Sequence, residues 1–264
     1  MQPRVVEVAD PDVVRQYLAL DPEVHLYGLA DLEDPIWSLS RWFIRERDGA
    51  VSAAVGIVGL PDSDDRIFYA QGRAGDDEVA LLSGEIASEI PHGCLATLAH
   101  GVEPHLTGIE LQLEGEFQRM ILRDRCRIPD CSQGVSRVGV EALPAMRKLI
   151  ADEQNANMFL GPAMFDEVDY RVVWDRSDLV AMAGVHVFSE RHGVAAIGNV
   201  LTASAHRRKG LATRVVGDLA AELHARVELV GLNHRVTNLS ARRCYEQLGF
   251  ESVHTYVEGR LLRA

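Results

Sequence analysis

The stretch Asn199–Val216, which reads NVLTASAHRRKGLATRVV, decides how the second half of the chain is interpreted. It begins inside an apolar run, GVAAIGNVLT, and it continues past Gly210 with leucine and valine residues spaced four apart. The stretch holds four basic residues and no carboxylate, although the chain has a formal net charge of -12. The pattern predicts a buried strand that turns, at a basic corner with one glycine, into an amphipathic helix.

The basic corner is unfavourable by itself, because the start of a helix favours negative charge. Cations at positions 207–209 oppose the helix dipole by a few tenths to about 1 kcal/mol each. A bound polyanion would reverse this penalty, because backbone N–H groups and cationic side chains would then point at the same phosphates. Gly210 suits such a ligand, since a missing Cβ lets phosphate oxygens approach the main chain. These residues alone leave two interpretations open, a phosphate site and a solvated basic turn without a ligand.

The order of the residues narrows the ligand. The corner has neither the G-K-[ST] order of a Walker A loop nor a G-x-G-x-x-G pattern. The arrangement Arg207-x-x-Gly210-x-Ala212 after an apolar strand resembles the R/Q-x-x-G-x-G/A signature of the GNAT acyltransferases. In that superfamily the loop binds the pyrophosphate of acetyl-CoA. The resemblance implies this role for Arg207, Arg208, Lys209, Gly210, Leu211, Ala212 and Thr213.

A second segment, NLSARRCYEQLGF, is similar to the N-x-x-A-x-x-x-Y-x-x-x-G-F segment of the same superfamily. Asn238, Ala241 and Tyr245 are spaced three and then four apart, so we expect them on one helix face. The resemblance implies that Asn238 contacts CoA, that Ala241 leaves room for it, and that Tyr245 protonates the departing thiolate. A phenol is neutral at pH 7 and can donate that proton. An ordinary core tyrosine near a helix end is the alternative interpretation.

Acyl transfer also needs hydrogen-bond donors for the developing oxyanion. In GNAT enzymes a bulged strand before the phosphate loop supplies backbone N–H groups, and the matching positions here are Val200, Leu201 and Thr202. Several residues are candidates for the general base. His186 lies alone in the apolar strand AGVHVF, and Asn199 is the one polar side chain of the next strand. We take both as candidate catalytic residues. Glu167 and Asp169 stay open as alternatives, as does a purely structural role for His186.

Strands and helices alternate along the whole chain of 264 residues. This predicts a mixed α/β (α+β) fold, and the resemblance implies two tandem GNAT-like domains, each with a twisted, mostly antiparallel central sheet flanked by helices. We expect an N-terminal domain at 1–125, a linker at 126–134 and the catalytic domain at 135–264. The first half carries Asp76 and Asp77 at its equivalent helix start, where they would repel a pyrophosphate. It is interpreted as a degenerate domain that has lost the cofactor site.

The expected function is acetyl-CoA-dependent N-acetyltransfer to a primary amine, with a small molecule or an amino acid favoured as acceptor. The alternative is a non-catalytic acyl-CoA-binding regulatory or sensor protein. An acidic chain argues against a nucleic-acid partner, and no apolar run approaches the roughly 18 residues of a membrane span. We therefore expect a cytoplasmic protein, as a monomer or a homodimer. The histidines and cysteines show no zinc spacing, so no metal is expected.

Overall fold

The computed structural model of this chain describes residues 3–61, 63–73, 75, 77–153, 158 and 160–263. The strands, in chain order, are β1 (Arg4–Val8), β2 (Arg41–Arg47), β3 (Ala50–Gly59), β4 (Arg66–Ala70), β5 (Cys94–Leu98), β6 (Ile109–Leu122), β7 (Ser136–Val138), β8 (Tyr170–Asp175), β9 (Asp178–Ser189), β10 (Val194–Thr202), β11 (Leu229–Arg235) and β12 (Phe250–Arg263). The α-helices are α1 (Pro11–Leu18), α2 (Leu26–Ala30), α3 (Ile36–Leu39), α4 (Asp77–Glu85), α5 (Leu143–Asp152), α6 (Leu211–Arg226) and α7 (Leu239–Gln247).

The chain divides into two compact units, and neither is a single continuous segment. Unit 1 comprises Met1–Arg119, Arg235–Thr237 and Val253–Ala264, and unit 2 comprises Met120–His234 and Asn238–Ser252. This differs from the contiguous domains expected at 1–125 and 135–264. The physical reason is that most of β12 pairs with β5, from Val257–Leu98 to Leu261–Cys94, so the end of the chain completes the sheet of unit 1.

Unit 1 has the mixed sheet that the sequence predicts. Strands β1 to β4 are paired antiparallel in chain order, and β4 and β5 are parallel. Helix α1 begins at Pro11 because Asp10 caps it, accepting a hydrogen bond from the Asp12 N–H at 2.9 Å. The hairpin from β2 to β3 turns at Asp48 and Gly49, which both have positive φ, as a two-residue turn requires. Helix α4 begins at Asp77, while Asp76 lies outside the described residues.

Unit 2 has strands in the order β11-β10-β9-β8-β7, with β10 and β11 parallel and the other pairs antiparallel. Two hydrophobic clusters share this sheet. One joins helices α6 and α7 to alternate residues of β9 and β10, including Ala183 and Ile197. The other joins α5 to residues of β8 and β9 that alternate with those, including Tyr170 and Met182. Because side chains alternate along a strand, α5 and α6 cover opposite faces.

A buried arginine joins the sheet of unit 2 to α6. Arg171 on β8 is fully buried, and its guanidinium donates to the carboxylates of Asp218 and Glu222 on α6. It also donates to the Asp169 carbonyl at 2.8 Å. A buried charge is tolerated only when it is paired and hydrogen-bonded, so this cluster fixes the position of α6 over β8. Helix α6 in turn presents its first residues at the end of β10.

Candidate functional site

Two register shifts distort the pairing of β9 with β10 in unit 2. One shift makes His186 an extra residue in β9, and the other inserts an extra residue in β10 between Gly198 and Leu201. Asn199 lies in this second bulge with a φ of 50°. Asparagine is one of the few residues other than glycine that adopt this left-handed conformation readily. The two bulges compensate each other, so the register before and after them is the same. Only the short segment between them is shifted against its partner strand.

The same part of β10 separates from β11. Within the described residues, the last pair of their parallel ladder is Ile197–Leu232, although β10 continues to Thr202. Val200 and Leu201 are half-buried against the two hydrophobic clusters, and their main-chain groups are the polar contacts that they can offer a ligand. The Thr202 hydroxyl oxygen is buried and has no hydrogen-bond partner among the described residues. At such an atom a polar ligand or a water molecule can supply the missing hydrogen-bond partner.

The corner after β10 has the geometry of an anion site. Gly210 has a φ of 73°, in the left-handed region, and a Cβ there would meet no atom within 4 Å. It directly precedes the 16-residue helix α6 and provides no side-chain cap. By helix geometry, the N–H groups of Leu211, Ala212 and Thr213 have no acceptor within the helix. Leu211 itself is buried in the core, so its side chain does not contribute to a binding surface.

The charges at this corner are partly neutralised by carboxylates that the sequence did not point to. The Arg207 guanidinium lies 2.5 Å from the Glu153 carboxylate and donates to the Thr202 carbonyl at 3.1 Å. Glu153 also accepts the Ser204 N–H at 2.7 Å, and this bond and the arginine hold the pKa of the Glu153 carboxyl below its usual range. Arg207 is therefore engaged by the end of α5, and its role in binding the pyrophosphate stays a prediction.

The other two cations of the corner differ from Arg207. Arg208 and Lys209 are exposed at the surface. Arg208 has a φ of 63°, so the main chain turns sharply there, two residues before α6 begins. The adjacent His206 is half-buried and its Nε2 lies 3.0 Å from a carboxylate oxygen of Asp175. An incoming anion can thus reach Arg208 and Lys209 without breaking an ion pair between residues that the structure describes.

Helix α7 carries the second predicted motif, with one difference from the expectation. Asn238 does not lie within the helix but caps it, because its Oδ1 accepts hydrogen bonds from the Ala241 N–H at 3.1 Å and the Ser240 hydroxyl at 2.9 Å. This capping role accounts for an asparagine at this position on structural grounds. Ala241 is partly buried against the α6 cluster. Next to Tyr245, the Cys244 thiol lies 3.3 Å from the Thr213 hydroxyl.

Tyr245 is buried in the α6 cluster. Its ring meets the edge of Phe250 at a centroid distance of 6.3 Å and lies 6.1 Å from the ring of His234. Burial raises the pKa of its phenol far above the usual value of 10, so the hydroxyl keeps its proton at neutral pH. Such a group can act as a general acid, but it is not available as a phenolate base at neutral pH. Both the predicted role as an acid and the alternative role as a core residue are compatible with this placement.

His186 and Asn199 form one hydrogen-bonded group with a tyrosine that the sequence reasoning missed. His186 Nε2 lies 3.2 Å from Asn199 Oδ1, and Asn199 Nδ2 donates to the Tyr170 hydroxyl oxygen at 3.0 Å. Two glycines make room for the rings. A Cβ at Gly198 would lie 2.1 Å from the His186 ring, and a Cβ at Gly184 would lie 2.0 Å from the Tyr170 ring. The three polar side chains therefore lie over a trough of two glycines in neighbouring strands.

The protonation states of this group follow from its surroundings. Burial lowers the pKa of His186, and the hydrogen bond with Asn199 opposes this shift in part. The imidazole nevertheless keeps solvent-exposed surface. The lowered pKa and the exposed surface are both explained if the ring lies in a recess that is surrounded by protein and reached by water from one side. Burial also raises the pKa of Tyr170 to about 12. At pH 7 the imidazole is thus neutral and accessible, and the phenol is protonated.

Residues 143–250, which include α5, the bulged strands, the Gly210 corner and Tyr245, match the acetyltransferase (GNAT) family. This region is a GNAT domain. The GNAT fold binds acyl-CoA and supports acyl-CoA-dependent acetyl transfer, so the chain carries an acyltransferase fold. The bulged strand, its separation from β11 and the uncapped start of α6 fit an acyl-CoA. Val200, Leu201 and Thr202 would hold it through the main chain and the Thr202 hydroxyl, and residues 207–213 would hold its phosphates.

Solved structures extend the similarity to the whole chain. A GNAT-family acetyltransferase from Novosphingobium aromaticivorans is 23% identical, with a TM-score of 0.58 over 69% of this chain and 80% of that one. A Drosophila protein is 12% identical, with a TM-score of 0.67 over 98% of both chains. A tandem GNAT protein from the clavulanic acid biosynthesis pathway is 13% identical, with a TM-score of 0.54 over 99% and 98%. No match was found among curated proteins. These likenesses show a tandem GNAT fold.

The predicted site residues fall into three groups. Residues 200–202 and 207–213 lie at one corner of the GNAT domain, and His186 and Asn199 contact each other on the α5 face of the sheet. Asn238 and Ala241 lie at the start of α7, which carries Tyr245. Tyr245 lies in the α6 cluster on the opposite face. Glu167 and Asp169 are exposed, and their main-chain carbonyls accept hydrogen bonds from Arg226 and Arg171. The catalytic roles of these residues stay predictions.

Three further residues join these groups and carry no motif in the sequence, namely Tyr170, Glu153 and Met164, whose sulfur lies 3.8 Å from Asn199 Nδ2. The sequence contains one sign of the group around Asn199, which is a single glycine in each of the apolar strands β9 and β10. Among the described residues, no group of three or more metal-ligating side chains could hold a metal ion. No helix of the described chain is long and apolar enough to cross a membrane.

Proposed function

We propose that this protein is an acetyl-CoA-dependent N-acetyltransferase that acts on a primary amine, with a small molecule or an amino acid as acceptor. The observation that carries the proposal is the pair of compensating bulges in β9 and β10. They open β10 beside the start of α6 and bring His186 and Asn199 together at the same point. An acyl-CoA-binding protein without a reaction needs the opening, but it does not need a neutral, accessible imidazole beside it.

Bound acetyl-CoA supplies an acetyl group activated as a thioester, so the net reaction forms an amide C–N bond, breaks the C–S bond and releases CoA as a thiol. The chain's own residues manage charge and protons. Main-chain N–H groups of β10, freed from pairing with β11, are donors for the negative charge that develops on the carbonyl oxygen. Such preorganised donors are worth roughly 3 to 4 kcal/mol each in acyl transfer.

Two protons move. His186 holds a lone pair at neutral pH because burial lowers its pKa, and it takes the proton that the amine loses on acylation. Tyr245 keeps its proton because burial raises its pKa, and it supplies that proton to the departing sulfur. The two residues lie on opposite faces of the sheet, so one would serve the amine and the other the departing sulfur. The partners we propose are the small amine and CoA alone.

The test combines binding and turnover. Calorimetric titration with acetyl-CoA measures affinity, and chromatography measures the CoA released when a broad panel of amines is added. We expect binding, CoA release with at least one class of amine, and a loss of roughly 10- to 100-fold in kcat for Tyr245→Phe with unchanged acetyl-CoA affinity. Binding without amine-stimulated release from any panel member would overturn the proposal and leave the acyl-CoA sensor as the function.

The phosphate corner has its own matched pair of variants. Gly210→Asn and Gly210→Asp have side chains of nearly the same size, and both residue types tolerate the left-handed conformation that Gly210 adopts. Only the second adds a negative charge at the start of α6. Gly210→Asp should weaken acetyl-CoA binding at least tenfold more than Gly210→Asn. Equal affinities for the two variants would mean that the phosphates bind elsewhere.

A further inference from the structure

A cavity of about 320 Å³ lies in unit 2 between residues 125–130 and helix α6. Its lining combines charged and apolar groups, namely Arg125, Ile128, Pro129, Asp130, Ala221 and His224. Ile128 also packs against the α6 cluster, which holds this segment against the helix. The volume is at the lower end of the roughly 300 to 1,000 Å³ of small-molecule sites, so the cavity suits a ligand the size of an amino acid.

The cavity is separate from the Gly210 corner. Helix α6 begins at Leu211, whereas Ala221 and His224 lie in its second half. With a rise of 1.5 Å per residue, these two residues lie about 15 to 20 Å along the helix from its first residue. A ligand in this cavity therefore does not occupy the proposed phosphate site.

The positive charge of the cavity has a neutral partner. Arg125 Nη1 lies 3.0 Å from His224 Nε2. A guanidinium can only donate, so Nε2 accepts this hydrogen bond and the proton of the neutral ring is on Nδ1. Nδ1 is buried and has no hydrogen-bond partner among the described residues. A carboxylate is a stronger acceptor for Arg125 than the imidazole is, and it would leave the ring free to turn its N–H toward an acceptor.

Asp130 provides the negative charge of the cavity. Its Oδ1 accepts hydrogen bonds from the Ser132 hydroxyl at 2.7 Å and from the Ser132 N–H at 3.1 Å. These bonds hold the pKa of the Asp130 carboxyl below its usual range, so the group is ionised at neutral pH. They fix one carboxylate oxygen, and Oδ2 has no hydrogen bond among the described residues. Oδ2 can therefore accept a hydrogen bond from an ammonium group.

We propose that this cavity binds a free α-amino acid with an apolar side chain. Arg125 holds the carboxylate, and Asp130 holds the ammonium group. The side chain of the ligand contacts the apolar part of the lining, at Ile128, Pro129 and Ala221. A ligand with a single charge would leave one of the two protein charges without a partner. The inference goes beyond the proposed function, because it adds a ligand to the amine and CoA and uses residues that take no part in acetyl transfer.

The test compares leucine with two analogues that each lack one of its charges. Isocaproate keeps the carboxylate and the apolar chain, and isoamylamine keeps the ammonium group and the apolar chain. In calorimetric titrations without acetyl-CoA, leucine should bind roughly 5- to 10-fold more tightly than either analogue, since each ion pair lies in a cleft that is partly open to water. Equal affinities for leucine and both analogues would overturn the inference, as would the absence of leucine binding.

Variants assign each charge of the ligand to one residue. Arg125→Met should remove the advantage of leucine over isoamylamine, and Asp130→Asn should remove its advantage over isocaproate. Arg127→Met is the matched control, because Arg127 belongs to the same 3-10 turn, Arg125–Arg127, but does not line the cavity. It should change the affinity for leucine by less than about twofold. An equal loss of affinity for leucine and isoamylamine in Arg125→Met would contradict the assignment.

Two further measurements separate this inference from the proposed function. In protein labelled with ¹⁵N-histidine, leucine should shift the ring signals of His224, which His224→Gln identifies, and should leave those of His186 unchanged. Gly210→Asp, designed to weaken acetyl-CoA binding, should bind leucine as the natural chain does. If leucine shifted the His186 signals instead, or no longer bound to Gly210→Asp, it would occupy the acetyl-transfer site and the inference would fail. None of these results depends on whether the protein acetylates an amine.

Discussion

Replacing Gly198 by alanine should displace the imidazole of His186. A Cβ at this position would lie 2.1 Å from His186 Cδ2 and 2.2 Å from Nε2, whereas ordinary van der Waals contact begins at 3.4 Å. The ring must therefore move by at least about 1.3 Å, the difference between these distances, because the main chain of Gly198 is held by its pairing in the sheet. A shift of this size breaks the 3.2 Å hydrogen bond to Asn199, since hydrogen bonds weaken steeply beyond about 3.5 Å.

The cost appears in both stability and turnover. Overpacking by one methyl group costs about 1 to 3 kcal/mol in the free energy of unfolding. A misplacement of about 1 Å at a catalytic group lowers the rate by up to roughly 10²-fold. Gly198→Ala should therefore lower kcat by that order. Acetyl-CoA affinity should stay within about threefold, because the Gly210 corner at the start of α6 keeps its geometry.

The cause is isolated by a double-mutant cycle. Urea unfolding is measured for Gly198→Ala in the natural sequence and again in a His186→Ala background, where the overlapping ring is absent. We expect a coupling free energy of about 1 to 3 kcal/mol, because the methyl group then enters vacated space. The same loss of unfolding free energy in both backgrounds would refute the reasoning, since the overlap with His186 would not be the source of the cost.

Three other predictions follow from the electrostatics. Burial, and then the charge of Arg119, lowers the pKa of His254 from 6.5 to about 4. The unfolded chain therefore binds that proton more readily, and the free energy of unfolding should fall as the pH drops from 6.5 to 4, with a smaller slope in His254→Gln in urea titrations. Arg171→Leu should cost about 3 to 5 kcal/mol in the same assay, because it leaves two carboxylates of α6 without their buried partner; a loss under 1 kcal/mol would contradict this. Glu153→Gln should tighten acetyl-CoA binding severalfold in calorimetry, since it removes a carboxylate that engages Arg207; weaker binding would contradict it.

Much of the fold could be predicted from local sequence. Asp10 and Pro11 mark the start of α1, and the Asp48-Gly49 pair marks a hairpin, because these residues satisfy backbone requirements that few others satisfy. The strand, corner and helix around Gly210 follow from hydrophobic periodicity alone. The pairing of β12 with β5 could not be predicted in this way. Pairing between distant segments depends on tertiary packing, which a local pattern does not contain.

The site could be predicted in part. The residues at the Gly210 corner are consecutive in the sequence, so their motif can be recognised from the sequence alone. His186 and Asn199 are 13 residues apart in the sequence. Two bulges, each of which shifts the register by a single residue, bring them together. No sequence pattern reveals such a shift, because both strands read as continuous apolar runs. Glu153 contacts the corner from 54 residues away along the chain, through an ion pair that only the folded arrangement creates.

The two units lead to a further prediction, that one chain binds one acetyl-CoA. In unit 1 the register of β3 with β4 is constant from Gly59 to Gly56, without the bulge of β10. The parallel pairing of β4 with β5 continues to Ala70, the last residue of β4, and the Ala70 carbonyl also accepts the Ala99 N–H at 2.7 Å. The opening that a pantetheine chain requires is thus closed by hydrogen bonds. Helix α4 begins with Asp77 and Glu78, which repel phosphates.

Calorimetry should therefore give a stoichiometry of one for the natural chain. Gly210→Asp, in the GNAT domain, should weaken that site at least tenfold more than Gly210→Asn does and should reveal no second site. Gly210→Asn serves as the control, because it introduces a side chain of the same size without the charge. A remaining site of similar affinity in Gly210→Asp would contradict the prediction, because it would require that β4 and β5 separate in solution. That separation would break at least the 2.7 Å hydrogen bond from the Ala99 N–H to the Ala70 carbonyl. Loss of this bond costs about 0.5 to 1.5 kcal/mol, so acetyl-CoA binding to unit 1 would be weaker by that amount.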